Sequence, residues 1–448
     1  MKVQAIVNAV VIDGTGRPPI RGGVVVTRGD RILAVGDSTV TVPADATLID
    51  TAGRYVIPGL MDANVHLILD FWPLTLARYE DRYHELAVEA AQVALRAGVT
   101  TVFDSWGPRA ALMRARHQIA SGELPGARIY LAGNIVGLGG PLSEDFFPQG
   151  RESLLEAFSD RINLLWQENV GLDLMWMSPT QVRDEIRRHV DSGIDFLKYA
   201  VTGHGLKTAQ YLQFSPRVQA VIVEEAHRAG LTAQTHTTSN EGLHLAIEAG
   251  VDLMQHADVT FGPYPIPEET LALIAAHRIP CALLPRTQSA LGWYEERARS
   301  VPALRHFAID DVNDRALLEA GAILLLSTDG GLFSHNTLTS KSWDSWNPPE
   351  ENLIFLGQGH LHWLAAMEQK GMAPMAALMA ATSNIARAYR VEHDLGTLEV
   401  GKIADLVVLD DDPLVSAKHY QSVRLVMKDG IVIDRDNLPT RRLLTGPK

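Results

Sequence analysis

Apolar runs and amphipathic stretches alternate through the middle of the chain. Short apolar runs such as Thr100 to Asp104 and Val251 to His256 each follow a stretch whose apolar residues recur at helical spacing, as in Leu86 to Ala97 and Glu241 to Ala249. With a first strand near Val56 to His66, this pattern gives eight strand–helix units. It predicts an α/β protein with a parallel sheet, and the number and length of the units favour a (β/α)8 TIM-like barrel.

An open, doubly wound sheet would produce the same alternation and is the competing topology. The polar residues favour the closed barrel, because five apolar strands end in a side chain that can bind a metal. In a barrel, the reacting groups lie at the C-terminal ends of the strands, where they converge on one mouth. The five strand ends carry Asn64 with His66, Lys198, His236, His256 and Asp329.

A structural interpretation is available for each of these residues taken alone. A histidine beside an apolar strand is usually a hydrogen-bonded core or surface residue, and Lys198 could be a barrel lysine paired with a carboxylate. Five potential ligands in register on five strands are harder to explain in this way. Asn64 and His66 are two residues apart on a strand, so both side chains point to the same face and could clamp one metal.

Both ends of the chain show a different pattern, with short alternating or β-branched runs separated by turns. Val3 to Ile12 near the start and Val423 to Met427 near the end are examples. We therefore expect one small β-sandwich built from residues 1–57 and 391–448, joined to a barrel of residues 58–390.

Composition and charge narrow the range of partners. The 448 residues are 46% hydrophobic and 21% charged, which is typical of an ordered globular protein long enough for two domains. The net charge is −13 and no run of Lys or Arg stands out, so we expect neither nucleic acid nor a membrane as partner. A single cysteine, Cys281, and no signal-peptide pattern in Met1 to Val11 predict a cytoplasmic protein. We expect a homo-oligomer that acts on a small-molecule substrate.

The motifs around the candidate ligands resemble those of the amidohydrolase superfamily. PGLMDANVH, at Pro58 to His66, is similar to its Pro-Gly-Leu-Ile-Asp-x-His-x-His signature, and LGTLEVGKIADLVVLDDDP, at Leu395 to Pro413, is similar to its C-terminal strand motif. QTH, QHAD and STDGG, around His236, His256 and Asp329, match its positions on strands 5, 6 and 8. The resemblance covers nearly the whole chain and implies a metal-dependent enzyme that cleaves the C–N bond of an amide, urea or carbamate.

One residue departs from the superfamily pattern: Asn64 stands where a first histidine is usual. The Asn-x-His form resembles the subgroup that contains phenylurea hydrolases and molinate (thiocarbamate) hydrolase. The implied ligands are Asn64 and His66 with nearby Asp329 for one divalent metal, His236 and His256 for a second, and a carboxylated Lys198 between them. Zinc is the expected metal. Because an amide oxygen is a weaker zinc ligand than imidazole, we expect one weakly held position, and an enzyme that works with one metal or accepts manganese or cobalt.

The resemblance also implies roles in catalysis. A metal-bound water can have a pKa near 7, so hydroxide is available at neutral pH. Asp329 would take the water proton and pass it to the leaving nitrogen, because an amine anion is a very poor leaving group. His204, six residues after Lys198, could polarise the substrate carbonyl, although a structural loop histidine is an equal alternative.

Residues in the predicted loops indicate the substrate. Phe71 and Trp72 follow the first barrel strand, Trp106 follows the second, Tyr199 lies next to the lysine, and Arg286 is the arginine nearest a strand end. Aromatic side chains at a barrel mouth suit a planar apolar substrate, and few cations line it, so we predict an N-aryl urea or (thio)carbamate. The alternative is that half of these rings only pack the loops onto the barrel.

Two other functions are consistent with the sequence. A dipeptidase-like amidohydrolase that cleaves Xaa-Pro or N-acyl amino acids would need a carboxylate anchor, for which Arg286 is the candidate. A non-catalytic scaffold barrel would explain the loss of a histidine at Asn64, but such decay rarely stops at one ligand.

Overall fold

The computed structural model describes residues 2–70, 72–146, 154–204, 211–340, 347–348, 351 and 353–446. Its strands are β1 (Val3–Val11), β2 (Ile20–Arg28), β3 (Arg31–Gly36), β4 (Thr47–Asp50), β5 (Tyr55–Pro58), β6 (Leu60–Val65), β7 (Val99–Asp104), β8 (Arg128–Leu131), β9 (Leu197–Ala200), β10 (Ala233–His236), β11 (Leu253–Gln255), β12 (Cys281–Leu283), β13 (Leu324–Leu326), β14 (Leu406–Leu409), β15 (Val423–Lys428) and β16 (Ile431–Val432).

Its α-helices are α1 (Pro73–Arg78), α2 (Tyr83–Arg96), α3 (Arg109–Ala120), α4 (Glu156–Gln167), α5 (Pro179–Asp191), α6 (Pro216–Arg228), α7 (Asn240–Ala249), α8 (Glu268–His277), α9 (Gln288–Arg297), α10 (His306–Glu319), α11 (His335–Leu338), α12 (Gly359–Gln369), α13 (Pro374–Ala380) and α14 (Ser383–Ala388). Within the described ranges, no helix combines the length and the apolar character that crossing a bilayer requires.

Strands from the two ends of the chain form one mixed sheet, in the order β16-β15-β14-β5-β1-β2-β3, with β4 also paired to β1. β14 runs antiparallel to β5, which brings Val407 opposite Ile57. Successive residues of a strand face opposite sides, and Ile6 and Ala5 of β1 accordingly belong to two separate apolar clusters. The two chain ends therefore meet in one β structure with apolar packing on both of its faces.

The middle of the chain forms two parallel sheets, β6-β7-β8 and β13-β12-β11-β10-β9. Isolated parallel bridges pair Val65 with Gly330 at one side and Val136 with Tyr199 at the other. The residues of β6 and β7 are buried throughout, as expected for parallel strands whose two faces are both covered by other parts of the protein. The α/β class and the parallel pairing predicted from the alternating pattern are confirmed.

Local sequence signals set the limits of the helices around these sheets. Ser178 and Gln181 form a capping box at the start of α5, and the Ser239 hydroxyl caps α7. α7 ends at Gly250, whose φ of +84° is a left-handed conformation that glycine adopts without a steric penalty. β11 begins three residues after this cap, at Leu253, which places His256 just beyond the far end of the strand.

The segment that follows the mixed sheet returns to α2 in the central part of the chain. The Glu89 carboxylate, only 1% exposed, accepts hydrogen bonds from the backbone N–H groups of Leu443, Leu444 and Thr445, each within 3.0 Å. It also accepts one from the Thr445 hydroxyl at 2.7 Å. A buried carboxylate is costly unless its oxygens are satisfied, so Glu89 and the C-terminal segment stabilise each other.

We expect Glu89→Ala to destabilise the protein by about 2–3 kcal/mol, because it removes a charged acceptor and leaves several backbone donors unpaired. Thermal unfolding should begin at a lower temperature, and trypsin should cut at Arg441 and Arg442 faster. Glu248→Ala serves as the control, because Glu248 is largely exposed and its contact with His244 is long, at 3.5 Å. Equal melting and equal cleavage in both variants would contradict this account of the segment.

Candidate active site

β6 brings Asn64 and His66 to the place where the chain leaves β13. The Asn64 side chain is fully buried, and its Nδ2 donates to Asp329 Oδ1 at 2.7 Å. His66 Nε2 lies 2.9 Å from the same carboxylate oxygen. Asp62, two residues before Asn64, accepts hydrogen bonds from the backbone N–H of Thr328 at 3.1 Å and from its hydroxyl at 2.6 Å. This pairing fixes the two strand ends against each other.

Lys198, in β9, joins the same network. Its side chain is among the largest that are fully buried, and Nζ lies 3.0 Å from Ser105 Oγ and 3.4 Å from Asn64 Oδ1. Ser105 in turn donates to Asn64 Oδ1. The structure therefore brings the predicted Lys198 and Asn64 together, through a serine that directly follows β7.

β10 and β11 deliver two further histidines. Nδ1 of His236 lies 3.0 Å from Nε2 of His256, and the His204 ring lies nearly parallel to that of His236, with 5.6 Å between centroids. Lys198 and Asp329 are close enough to influence the protonation of all three imidazoles. All of the residues predicted as metal ligands or catalytic groups therefore lie in one cluster.

Two residues of the cluster have unusual backbone conformations. His256 and Asp329 have φ values of +35° and +52°, in the left-handed region that most residues with a side chain avoid. Such conformations cost free energy and occur both at ordinary turns and helix ends, as at Arg278 of this chain, and at functional sites. Here they occur at the turns that follow β11 and β13, where they direct an imidazole and a carboxylate.

Burial sets the charges in the cluster. Burial lowers the pKa of Lys198 to about 8, although the charge of Asp329 opposes this shift. It also lowers the pKa of His204 and of His256 to about 4, because a buried imidazolium loses its hydration. Burial alone would raise the pKa of Asp329, but the charge and hydrogen bond of His66 together with Lys198 hold it well below the usual value. At neutral pH, His204 and His256 are neutral and Asp329 is ionised.

Aromatic rings form one wall of the cluster. The Trp106 ring is almost completely buried, meets the His66 ring edge-on at 5.8 Å, and donates its indole N–H to Asn134 Oδ1 at 2.9 Å. Phe146 stacks on Trp106 with centroids 4.0 Å apart and lies 4.4 Å from the His204 ring. Trp106 is thus at the site as predicted, and Phe146 is an additional neighbour that the sequence did not indicate.

The structure does not bring all of the predicted substrate contacts to this cluster. Tyr199 directly follows Lys198 in β9, so its side chain lies on the opposite face of the strand. Its hydroxyl donates to Gln219 of α6 at 3.3 Å. The Arg286 guanidinium donates to the Leu284 carbonyl and lies 5.2 Å from the centre of the Phe307 ring. Neither side chain is therefore placed to contact a substrate at the cluster.

Two other predicted contacts receive no support from a described interaction. Trp72 directly precedes α1, and no described contact joins it to the cluster, although its indole nitrogen is buried. Phe71 lies outside the described residues.

Two pairs of side chains have the spacing of ligands to one ion. Two tetrahedral zinc ligands with bonds of about 2.0–2.1 Å lie about 3.3 Å apart, close to the 3.0 Å between the facing His236 and His256 nitrogens and the 2.9 Å between His66 and Asp329. Within the described ranges, no three His, Cys, Asp or Glu side chains form a single ion-binding group. To hold an ion, each pair would need a further ligand of another type, and Lys198 is close enough to interact electrostatically with a member of each pair.

The fold is that of a hydrolase family. Residues 55–433 match the amidohydrolase family, and because this match covers most of the chain, the chain belongs to that family and is an enzyme. The structure of phenylurea hydrolase B superposes with a TM-score of 0.93 at 36% identity, covering 100% of both chains. Molinate hydrolase superposes with a TM-score of 0.91 at 37% identity, covering 100% of this chain and 98% of its own. Ochratoxinase of Aspergillus niger is 23% identical over 95% of this chain and 85% of its own.

These comparisons confirm the resemblance drawn from the motifs, including the subgroup indicated by Asn64. The amidohydrolase fold is a TIM barrel, in agreement with the parallel strands of the central region. Membership of a hydrolase family, with similarity to two hydrolases over the full chain, also sets aside the non-catalytic scaffold.

Proposed function

We propose that the chain is a metal-dependent hydrolase that cleaves the C–N bond of an N-aryl urea or (thio)carbamate. The observation that carries the proposal is the convergence of Lys198, Asp329 and the imidazoles on one buried cluster at the ends of the parallel strands. Similarity to phenylurea hydrolase B and to molinate hydrolase over the whole chain supports the substrate class.

Six side chains build the metal site in this proposal. His66 and Asp329 would hold one position, with the Asn64 amide beside them, His236 and His256 would hold the other, and a carboxylated Lys198 would supply an oxygen to both. The lowered pKa of Lys198 favours the neutral amine that reacts with CO2, because an ammonium has no free electron pair. A bound divalent metal, zinc or else manganese or cobalt, would lower the pKa of its water to about 7.

Two side chains act on protons and on the carbonyl group in this proposal. Asp329, ionised at neutral pH, accepts a proton from the attacking water and delivers it to the leaving nitrogen. His204, buried beside His236, hydrogen-bonds to the substrate carbonyl oxygen as charge develops on it.

The aromatic wall supports a planar group on the substrate. Trp106 and Phe146 present stacked rings next to His66 and His204, and an aryl substituent gains both burial and ring contacts there. A substrate with a free carboxylate would need a cationic anchor, and the candidate Arg286 is engaged by the Leu284 carbonyl and by Phe307. The dipeptidase-like alternative is therefore less well supported.

We also propose that the two parallel sheets close into one eight-stranded barrel over residues 58–390. The parallel bridges at Val65–Gly330 and Val136–Tyr199 support this, because they connect the edges of the two sheets on both sides. The two apolar clusters on either side of β1 support a small sandwich from residues 1–57 and 391–448. The homo-oligomeric state and the cytoplasmic location stay predictions.

The substrate class is tested by assaying the metal-loaded enzyme against aryl ureas, N-aryl carbamates, thiocarbamates, N-acyl amino acids and Xaa-Pro dipeptides. We expect turnover of the aryl ureas or (thio)carbamates, with release of the amine. Hydrolysis of the N-acyl amino acids or dipeptides, with none of the aryl substrates cleaved, would replace this proposal by the dipeptidase-like one.

Asn64, which stands where the superfamily signature has a histidine, leads to a prediction about metal content. During dialysis against metal-free buffer, we expect the wild-type chain to lose the metal ion at one of its two positions before the other. At that weaker position, Asn64→His should bind zinc about tenfold more tightly than the wild type. Elemental analysis and titration of the dialysed proteins measure both quantities. Asn437→His, which adds a histidine at an exposed position, controls for non-specific binding. Two tightly bound zinc ions per wild-type chain would contradict the prediction.

A further inference from the structure

Ser105 has no role in the chemistry described so far, although it lies inside the cluster. It is fully buried, directly after β7. Its hydroxyl oxygen lies 3.0 Å from Lys198 Nζ, and its hydroxyl hydrogen is donated to Asn64 Oδ1. A buried hydroxyl with both donor and acceptor engaged has one preferred orientation, so it can orient its neighbours.

Asn64 is a neighbour whose orientation is not determined by its shape. The two ends of a carboxamide are almost the same size, so its hydrogen-bond partners decide which way it faces. When it is ionised, the Asp329 carboxylate can accept hydrogen bonds but cannot donate them. It faces Asn64 Nδ2 at 2.7 Å. Ser105 donates to the opposite end, the amide oxygen. A reversed amide would place two oxygens against each other at Asp329 and an N–H group against the Ser105 hydroxyl hydrogen.

We propose that Ser105 is a positioning residue that acts through Asn64: it holds the amide oxygen toward Lys198 and so presents the amide N–H group to Asp329. This inference rests on the proposed function, because Asp329 is the proton-transfer group there. An imidazole at position 64 has no carboxamide ambiguity, whereas the asparagine of this chain takes its orientation from the serine together with Asp329 and the more distant Lys198 Nζ. Asn64 thereby donates a hydrogen bond to Asp329 and places its amide oxygen toward Lys198.

The test is a double-mutant cycle between Ser105→Ala and Asn64→Ala in the metal-loaded enzyme. We expect Ser105→Ala to lower kcat about 10–30-fold while KM changes less than about threefold, and to raise the Kd for Mn²⁺, measured by calorimetry, about tenfold. In the Asn64→Ala background, removing the Ser105 hydroxyl should change kcat and the Mn²⁺ affinity by less than about threefold, because the group through which it acts is gone.

Ser159→Ala is the matched control, because Ser159, in α4, is also fully buried but its hydroxyl forms no described hydrogen bond with a residue of the cluster. Circular dichroism and melting temperatures establish that each variant is folded. A Ser105→Ala enzyme that behaves like Ser159→Ala, or losses that multiply in the double variant, would overturn the inference. A wild-type chain that binds no Mn²⁺ and cleaves none of the tested substrates would instead overturn the proposed function.

Discussion

Replacing Lys198 by alanine is expected to abolish hydrolysis, with a loss in kcat/KM of at least about 10³-fold, and to release most of the bound metal. The physical reason is that each pair of ligands, His236 with His256 and His66 with Asp329, is one ligand short of an ion-binding group within the described residues. In the proposed site, a carboxylated Lys198 would supply an oxygen to each pair, and alanine would supply none. Steady-state kinetics and elemental analysis measure the two losses.

Short carboxylates provide a specific check on this result. Formate or acetate can enter the space left by the Lys198 side chain and replace its carboxylate, so they should restore part of the activity of Lys198→Ala in a concentration-dependent manner. Lys402→Ala is the control, because Lys402 contacts Thr397 and Glu399 in a segment outside the cluster, and it should keep activity within about threefold. A Lys198→Ala enzyme that retains its metal and its rate would contradict the proposed role.

The second large effect is expected for Asp329→Asn. Asparagine is nearly the same size as aspartate but cannot accept a proton from water, so kcat should fall about 10³–10⁴-fold with a much smaller change in KM. The substitution also places an amide against Asn64 Nδ2 and His66 Nε2, which now face the carboxylate oxygen at 2.7 and 2.9 Å. Some loss of metal affinity should therefore accompany the loss of rate.

A matched carboxylate at the other end of the strands provides the control for Asp329→Asn. Asp195 precedes β9 and pairs with Arg116 and the Leu131 backbone N–H, so Asp195→Asn removes a partly buried charge without touching the cluster. Its kcat should stay within about threefold of wild type. If the two variants lost activity equally, Asp329 would have no special part in proton transfer.

The sequence predicted the cluster well because parallel strands place their C-terminal ends together. Lys198, His236, His256 and Asp329 each lie within or just after an apolar strand, and the regular pairing of β9 to β13 is enough to bring them together. The strand and helix pattern of the central region follows from the same periodicity.

The errors and omissions have equally physical causes. Tyr199 was predicted at the site because it adjoins the lysine in sequence, but strand alternation turns its ring toward α6. The sequence does carry a signal for Ser105, because it is a polar residue directly after an apolar strand, the same position that His256 occupies after β11. Phe146 had none, because it comes from a loop whose path depends on tertiary packing. The contact of Glu89 with the C-terminal segment likewise depends on residues more than 350 positions away.

The most direct measurement follows hydrolysis of an aryl urea or carbamate while divalent metal is returned to chelator-treated enzyme. The stripped protein should be inactive, and the rate should rise with added zinc, manganese or cobalt until one or two ions are bound per chain. Full activity in the stripped protein, or a chain that takes up no divalent ion at all, would contradict the claim that these side chains bind a metal for hydrolysis.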